Sequence, residues 1–182
     1  SGIGAEEVPQ FARQGSKVAF FDIADEAAER LIGSLRQEGL PAPLYVPCDL
    51  RDIPALQAAI AQVAQRLGPI SVLVNNAAND QRHSYEDVTV EYWDERMATN
   101  LRHQFFAIQA VAPMMREAGE GSIINFGSIS WHTNGGEMPA YTTAKSGVEG
   151  LTKGMARDLV VPGIRVNCVI PGWIMTRRRI DV

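Results

Sequence analysis

The chain is poor in cysteine and histidine, with two and three in 182 residues. Cys48 and Cys168 stand far apart, each inside an apolar, strand-like run. They read as reduced core residues of a cytoplasmic protein and exclude a disulfide framework. No Cys/His cluster has metal-ligand spacing, so no metal is expected. No apolar run approaches the roughly 20 residues that a membrane-crossing helix needs. No charged-then-apolar leader opens the chain. Cationic excess is missing as well. The net charge is −4, which argues against nucleic acid or an anionic membrane as the main partner. There is no low-complexity stretch and no internal repeat. What remains is an ordinary globular composition, 46% hydrophobic and 21% charged. The length fits one domain, 1–182.

Strand-like and helix-like stretches alternate along the chain. Ser1 to Gly4 is a glycine-rich turn, followed by helical composition to Gln14, inside which Pro9 is expected to kink the helix or shorten its start. Lys17 to Asp22 is an apolar strand ending in an acid. Helices are expected at Ala24–Glu38, Ile53–Leu67, Val90–Ala118 and Pro139–Val161. Pro113 marks a candidate kink in the third of these. Strands are expected at Leu44–Val46, Ile70–Val74, Ser122–Phe126 and Ile164–Ile170. This alternation predicts an α/β fold, a doubly wound parallel sheet of Rossmann type in three α/β/α layers. The nearly continuous apolar strands imply a sheet covered on both faces. Ligands of such sheets bind at the carboxyl ends of the strands. The unusual polar residues fall there: Asp22, Asp49, Asn75, Ser128 and Pro171-Gly172.

Tyr141 and Lys145 are spaced i, i+4, which puts both on one helix face about one turn apart. A phenol of ordinary pKa near 10 is a poor base at neutral pH. A cation about 4 Å away stabilises its phenolate by roughly 4 kcal/mol at an effective dielectric near 20. That brings the phenol into the working range of a general acid/base. Ser128, at the end of a strand, is placed to hold a substrate oxygen. The plainer reading of Tyr-x-x-x-Lys is an amphipathic helix with a solvated lysine. Gly2-Ile3-Gly4 before a helix suits a phosphate-binding turn. Asp22, twenty residues on, suits the adenosine ribose and would repel a 2′-phosphate, favouring NAD over NADP. Its plainer reading is a helix N-cap. Asn75-Asn76-Ala77-Ala78 reads as a cofactor-side turn or as an ordinary one. Asn100, a poor helix former inside a helical stretch, reads either as a solvated face or as a local distortion aimed at the active site.

Taken in order, Gly2-x-Gly4, Asp22, Asp49, Asn75-Asn76-Ala77, Asn100, Ser128, Tyr141-x-x-x-Lys145 and Pro171-Gly172 resemble the short-chain dehydrogenase/reductase family over essentially the whole chain. The resemblance implies NAD(P)-dependent hydride transfer. It makes Asn100, Ser128, Tyr141 and Lys145 the catalytic tetrad. It has Gly2, Ile3, Gly4, Asp22, Asp49, Leu50, Asn76, Ala77, Tyr141, Lys145, Pro171, Gly172, Ile174 and Thr176 line the cofactor. The family's members carry a strand before the position of Ser1 and continue beyond that of Val182. A longer natural polypeptide is therefore the expectation. Ala78 stands where the family usually has glycine.

Asn75 to His83, Asn100 to Phe106 and Asn125 to His132 resemble, more narrowly, bacterial sugar 1-dehydrogenases, those acting on D-xylose in particular. This implies hydride transfer from C1 of an aldose to NAD, giving a lactone. Asn79, Asp80, Trp131, His132 and Asn134, with Ser128 and Tyr141, are the corresponding substrate candidates; each also reads as an ordinary loop residue. The rival expectations are another carbonyl or 3-oxoacyl reductase of the family, and a non-catalytic nucleotide-binding protein. The apolar helices Val90–Ala118 and Pro139–Val161, together with the family's habit, imply a homodimer or homotetramer.

Overall fold

The structure is a computed structural model describing residues 2–161 and 163–176. The described chain falls into two compact units, one of residues 2–68 and 174–176, the other of residues 69–173.

The first unit holds α1 (Gly4–Arg13), β1 (Ala19–Asp22), α2 (Asp25–Gln37), β2 (Leu44–Pro47) and α3 (Ile53–Leu67). β1 and β2 pair in parallel from Ala19↔Leu44 to Asp22↔Pro47. The apolar faces of the helices supply the core: Ala12 from α1, Ile32 and Leu35 from α2, and Leu56, Ile60 and Val63 from α3 are all buried. α3 starts sharply because the Asp52 carboxylate accepts the Ala55 N–H at 3.0 Å, a side-chain cap. α1 begins at Gly4 and runs through Pro9, so the proline does not shorten its start.

The second unit holds β3 (Val72–Asn75), α4 (Val90–Met97), a π-helical turn (Ala98–Arg102), α5 (His103–Ala118), β4 (Gly121–Phe126), α6 (Pro139–Leu159) and β5 (Ile164–Val169). β3, β4 and β5 form a parallel sheet in that order. α5 packs on β3 and β4, α6 on β4 and β5, and α4 and the π turn lie against α6.

The fold is therefore α/β with parallel strands, as expected, but three details differ. Among the described residues the strands form two sheets, not one, because β1 pairs only with β2 and β3 only with β4. β5 is not buried continuously. Ile164 and Val166 are buried whereas Arg165, Asn167 and Val169 are exposed, the alternation of a strand covered on one face. The stretch Val90–Ala118 is broken at 98–102 and not at Pro113, which lies inside α5. A proline frees the carbonyl four residues earlier. Here Pro113 and Gln109 are both exposed, on the side of the helix where a freed carbonyl costs least.

One buried polar chain ties the second unit together. Asn75 Nδ2 donates to Asn125 Oδ1 at 2.9 Å. Asn125 Nδ2 donates to Thr152 Oγ1 at 3.0 Å, and that hydroxyl donates to the Val148 carbonyl at 2.7 Å. β3, β4 and α6 are thereby joined through side chains. Asn125 is fully buried, and removing its amide takes the acceptor from Asn75 Nδ2 and the donor from Thr152 Oγ1. Asn125→Ala is expected to lower the unfolding free energy by about 2–4 kcal/mol, read from urea denaturation. A loss under about 1 kcal/mol would show that the chain contributes little.

Candidate active site

Three of the four positions expected to form a tetrad are set by where elements begin and end in the second unit. β4 ends at Phe126, and Ser128 follows in an extended conformation (φ −161°, ψ 148°). Its hydroxyl accepts the Ser130 N–H at 3.2 Å and so caps the short 3₁₀ turn Ile129–Trp131. α6 starts at Pro139, a favoured first helical residue. That places Tyr141, half-buried, in the first turn and Lys145 one turn further along.

Lys145 is only 2% exposed. Its Nζ donates to the Phe126 carbonyl at 2.6 Å and stands 5.8 Å from the centroid of the Tyr141 ring. Burial pushes its pKa down to about 8, opposed by the negative charge of Asp80. At pH 7 the ammonium therefore still predominates, by roughly ten to one. The lysine is not the solvated face residue of the plainer reading. It is a buried cation held beside the tyrosine.

Asn100 is fully buried inside the π turn. Its Oδ1 accepts the Asn79 N–H at 2.8 Å and its Nδ2 donates to the Arg96 carbonyl at 3.0 Å. π turns interrupt the i to i−4 ladder and recur at functional positions. The distortion expected at Asn100 is present; the solvated-face reading is not. Next to it, burial pushes the pKa of His103 down to about 4, so this imidazole is neutral.

The substrate candidates are more committed than expected. Asn79 uses its main-chain N–H on Asn100 and its Oδ1 on the Gln81 N–H. Trp131 Nε1 donates to Glu149 at 2.7 Å, and His132 Nε2 lies 2.9 Å from the same oxygen. The two rings lie against each other with centroids 3.8 Å apart. Glu149 was not singled out from sequence, although it lies one helical turn beyond Lys145, and that spacing was the available signal. Asp80 lies close enough to Lys145 to support its charge. Asn134 is exposed, with φ of +55°. A cleft of about 780 Å³ opens at the start of α6, lined by Arg82, His83, Tyr85, Glu137, Thr142 and Thr143 among others; Tyr141 itself is not in its lining. Asn76 is half-buried after β3, and Ala77 and Gly172 are exposed. The Pro171 carbonyl accepts the Ile129 N–H at 3.2 Å.

In the first unit, Gly2 adopts φ of +62°, and the N-cap residue of α1, Ile3, offers no side-chain acceptor to the helix amides. A glycine turn leading into a helix start with no side-chain cap fits an anionic pyrophosphate. Asp22 ends β1. Its Oδ1 accepts the N–H groups of Ile23 and Ala24 at 2.8 and 3.0 Å. α2 nevertheless begins only at Asp25, and its N-cap residue is Ala24, so Asp22 is not the helix N-cap of the plainer reading. The Asp49 carboxylate is paired with Arg51 at 2.6 Å, which holds its pKa below the ordinary carboxylate value. Leu50 follows it, half-buried. Ile174 and Met175 are exposed, and the Thr176 N–H bonds to the Ile174 carbonyl at 2.9 Å. Among the described residues, no three His, Cys, Asp or Glu side chains group as a metal site would. No helix among them is long and apolar enough to cross a membrane.

The family model described as short chain dehydrogenase matches residues 1–182. D-xylose 1-dehydrogenase of Caulobacter vibrioides is 50% identical over 179 residues, covering 98% of this chain and 70% of that protein. The Rhizobium meliloti protein named "Probable galactose dehydrogenase GalD" is 50% identical over the same shares of the two chains. Among solved structures, an actinorhodin polyketide ketoreductase with NADPH superposes with a TM-score of 0.93 at 32% identity, covering all of this chain and 70% of that one. With its Tyr-x-x-x-Lys pair on one helix and a serine at the preceding strand end, the chain belongs to the short-chain dehydrogenase family.

Proposed function

We propose that the protein oxidises C1 of an aldose, a pentose such as D-xylose, to a lactone, with NAD as the hydride acceptor. The observation that carries the acid/base part is the buried Lys145 ammonium beside Tyr141. The names of the two 50%-identical relatives support the sugar. NAD, when bound, takes the hydride from C1. Tyr141, as phenolate, takes the proton of the anomeric hydroxyl while the C1–O bond becomes a carbonyl. Ser128 holds that oxygen against the phenol. Lys145 stabilises the phenolate electrostatically and binds the nicotinamide ribose. Asn100 supports the outward path of the proton. Asp22 serves the adenosine ribose; with Asp25 and Glu26 close by in sequence and no basic residue between them, a 2′-phosphate beside Asp22 would meet like charge. The reaction is proposed for the cytoplasm, in keeping with two free cysteines.

The direct test follows reduced nicotinamide by absorbance, over a panel of aldoses with NAD and with NADP. Turnover of a pentose is expected, with kcat/KM at least about tenfold higher for NAD. Tyr141→Phe is expected to lower kcat by about 10²–10⁴-fold while leaving NAD binding intact. Preference for a non-sugar carbonyl would move the protein to another reductase of the family. No turnover of any alcohol or carbonyl would leave a nucleotide-binding protein.

The charge on Lys145 makes a separate pH prediction. Its folded-state pKa of about 8 lies below its ordinary 10.5. Between those values the unfolded chain binds more protons than the folded one, so this group makes stability rise with pH across that window. Urea unfolding from pH 8 to pH 10.5 is expected to show the wild type gaining roughly 1–3 kcal/mol relative to Lys145→Met. Parallel pH profiles for the two proteins would show that the lysine is not charged and buried as described.

We further infer that α4, α5 and α6 face a second copy of the chain in a homodimer or homotetramer. Trp93 and Phe105, on α4 and α5, are each 38% exposed, which suits a helix pair buried on more than one side. Sedimentation at micromolar concentration is expected to give at least a dimer. A fully active monomer would overturn this.

A further inference from the structure

We propose that His83 positions Tyr141 by capping α6 from a separate loop, an inference that rests on Tyr141 being the acid/base group. α6 lacks a cap of its own. Its N-cap residue, Met138, makes no side-chain bond to the helix, and Pro139, the next residue, has no N–H to satisfy. The first amide of the helix that needs a partner is that of Ala140. It donates to Nε2 of His83 at 3.2 Å, across 57 positions of sequence. A side chain that accepts from an early amide of a helix does the work of an N-cap.

The surroundings of the ring determine its tautomer. The Gln81 carbonyl, which can only accept, lies 2.9 Å from Nδ1. The Ala140 N–H, which can only donate, faces Nε2. Nδ1 therefore carries the proton and Nε2 the lone pair. The Tyr92 hydroxyl lies 2.9 Å from the same Nδ1. The Tyr92 ring meets the imidazole edge-on at 4.9 Å between centroids. The ring is held on both edges.

Two further bonds join the same segments. The His83 N–H donates to the Glu137 carbonyl at 2.8 Å, and Arg82 Nη1 donates to the Gly136 carbonyl at 3.1 Å. Glu137 has φ of +63°, in the left-handed region that side chains other than glycine seldom adopt. Such a backbone persists where its neighbours hold it, and here the neighbours are Arg82 and His83. The clasp sets where α6 begins, and Tyr141 is the residue directly after the capped amide. His83, Glu137 and Thr142 also line the cleft at the start of α6, so the loop that walls this cleft also sets the start of the helix that bears Tyr141.

The test compares His83→Leu with His83→Gln, which keeps an acceptor within reach of Ala140. Amide exchange of Ala140 and Tyr141 is followed by NMR without substrate, and kcat and KM are measured on the best aldose. His83→Leu is expected to speed Ala140 exchange at least about fivefold and to lower kcat about tenfold, with the KM for NAD within about twofold. His83→Gln is expected to recover most of both. Unchanged Ala140 exchange in His83→Leu would overturn the cap. Faster exchange with kcat unchanged would overturn the positioning role. Where His83→Leu does not fold, His83→Asn, whose amide is too short to reach Ala140, replaces it in the comparison. A wild type inert on every aldose would refute the sugar reading, and the exchange measurement would then decide the cap by itself.

Discussion

The bond from the Lys145 ammonium to the Phe126 carbonyl is the contact on which the second unit's chemistry depends. A buried cation is costly unless it is hydrogen-bonded and near negative charge, and Lys145 is 2% exposed. The Phe126 carbonyl, at 2.6 Å, is the last of β4, and Ser128 leaves the same strand two residues later. One interaction thus references α6, with Tyr141 on it, to the strand end that delivers the serine. Small residues allow α6 to lie so close. Ala140 and Ala144 are fully buried. A side chain added at Gly147 would stand 3.0 Å from Leu101 of the π turn, tighter than comfortable packing permits.

The π turn performs a complementary task. Asn100 spends both ends of its amide inside the protein, on the Asn79 N–H and the Arg96 carbonyl. The residues after β3 are thereby fastened to the helix that packs beside Lys145. Buried polar groups impose strict geometry because an unmade bond costs more than a made one gains. Lys145, Asn100 and the Asn75–Asn125–Thr152 chain are all of this kind, and they converge on the carboxyl ends of β3 and β4.

What the sequence alone revealed depended on the range of the interaction. Tyr141 and Lys145 lie on one helix, so their spacing sufficed. Strand ends were visible where apolar runs meet Asp22, Asn75 or Ser128. Features that need partners far apart in the chain were not visible. That β1 pairs with β2, and β4 with both β3 and β5, is a matter of pairing across long separations, which strand composition does not encode. The stretch Val90–Ala118 offered two places for a distortion, Pro113, where backbone chemistry is unusual, and Asn100, a poor helix former. It lies at Asn100, where a tertiary bond from Asn79 and a local one to Arg96 hold it, and composition alone did not choose between the two. Trp131 and His132 suggested open contacts for a polyol because Glu149, their partner, is 17–18 residues away. The contact of His83 with Ala140 was beyond reach for the same reason.

The asparagine pair between β3 and β4 also bears on how the sheet is assembled. Asn75 and Asn125 are direct partners in the strand register, and their side chains are bonded to each other. In a slip by two residues every side chain would keep its face, so apolar burial alone would barely discriminate against it. Asn125 would then lie opposite Leu73, with its amide against hydrocarbon, or beyond the end of β3, without the Asn75 amide as its partner. The polar pair therefore acts as an index mark that makes the near-miss alignment expensive. Parallel strands joined by long crossovers form late and slowly. A mark of this sort selects the alignment in which the ends of β3 and β4, and hence Ser128, come level.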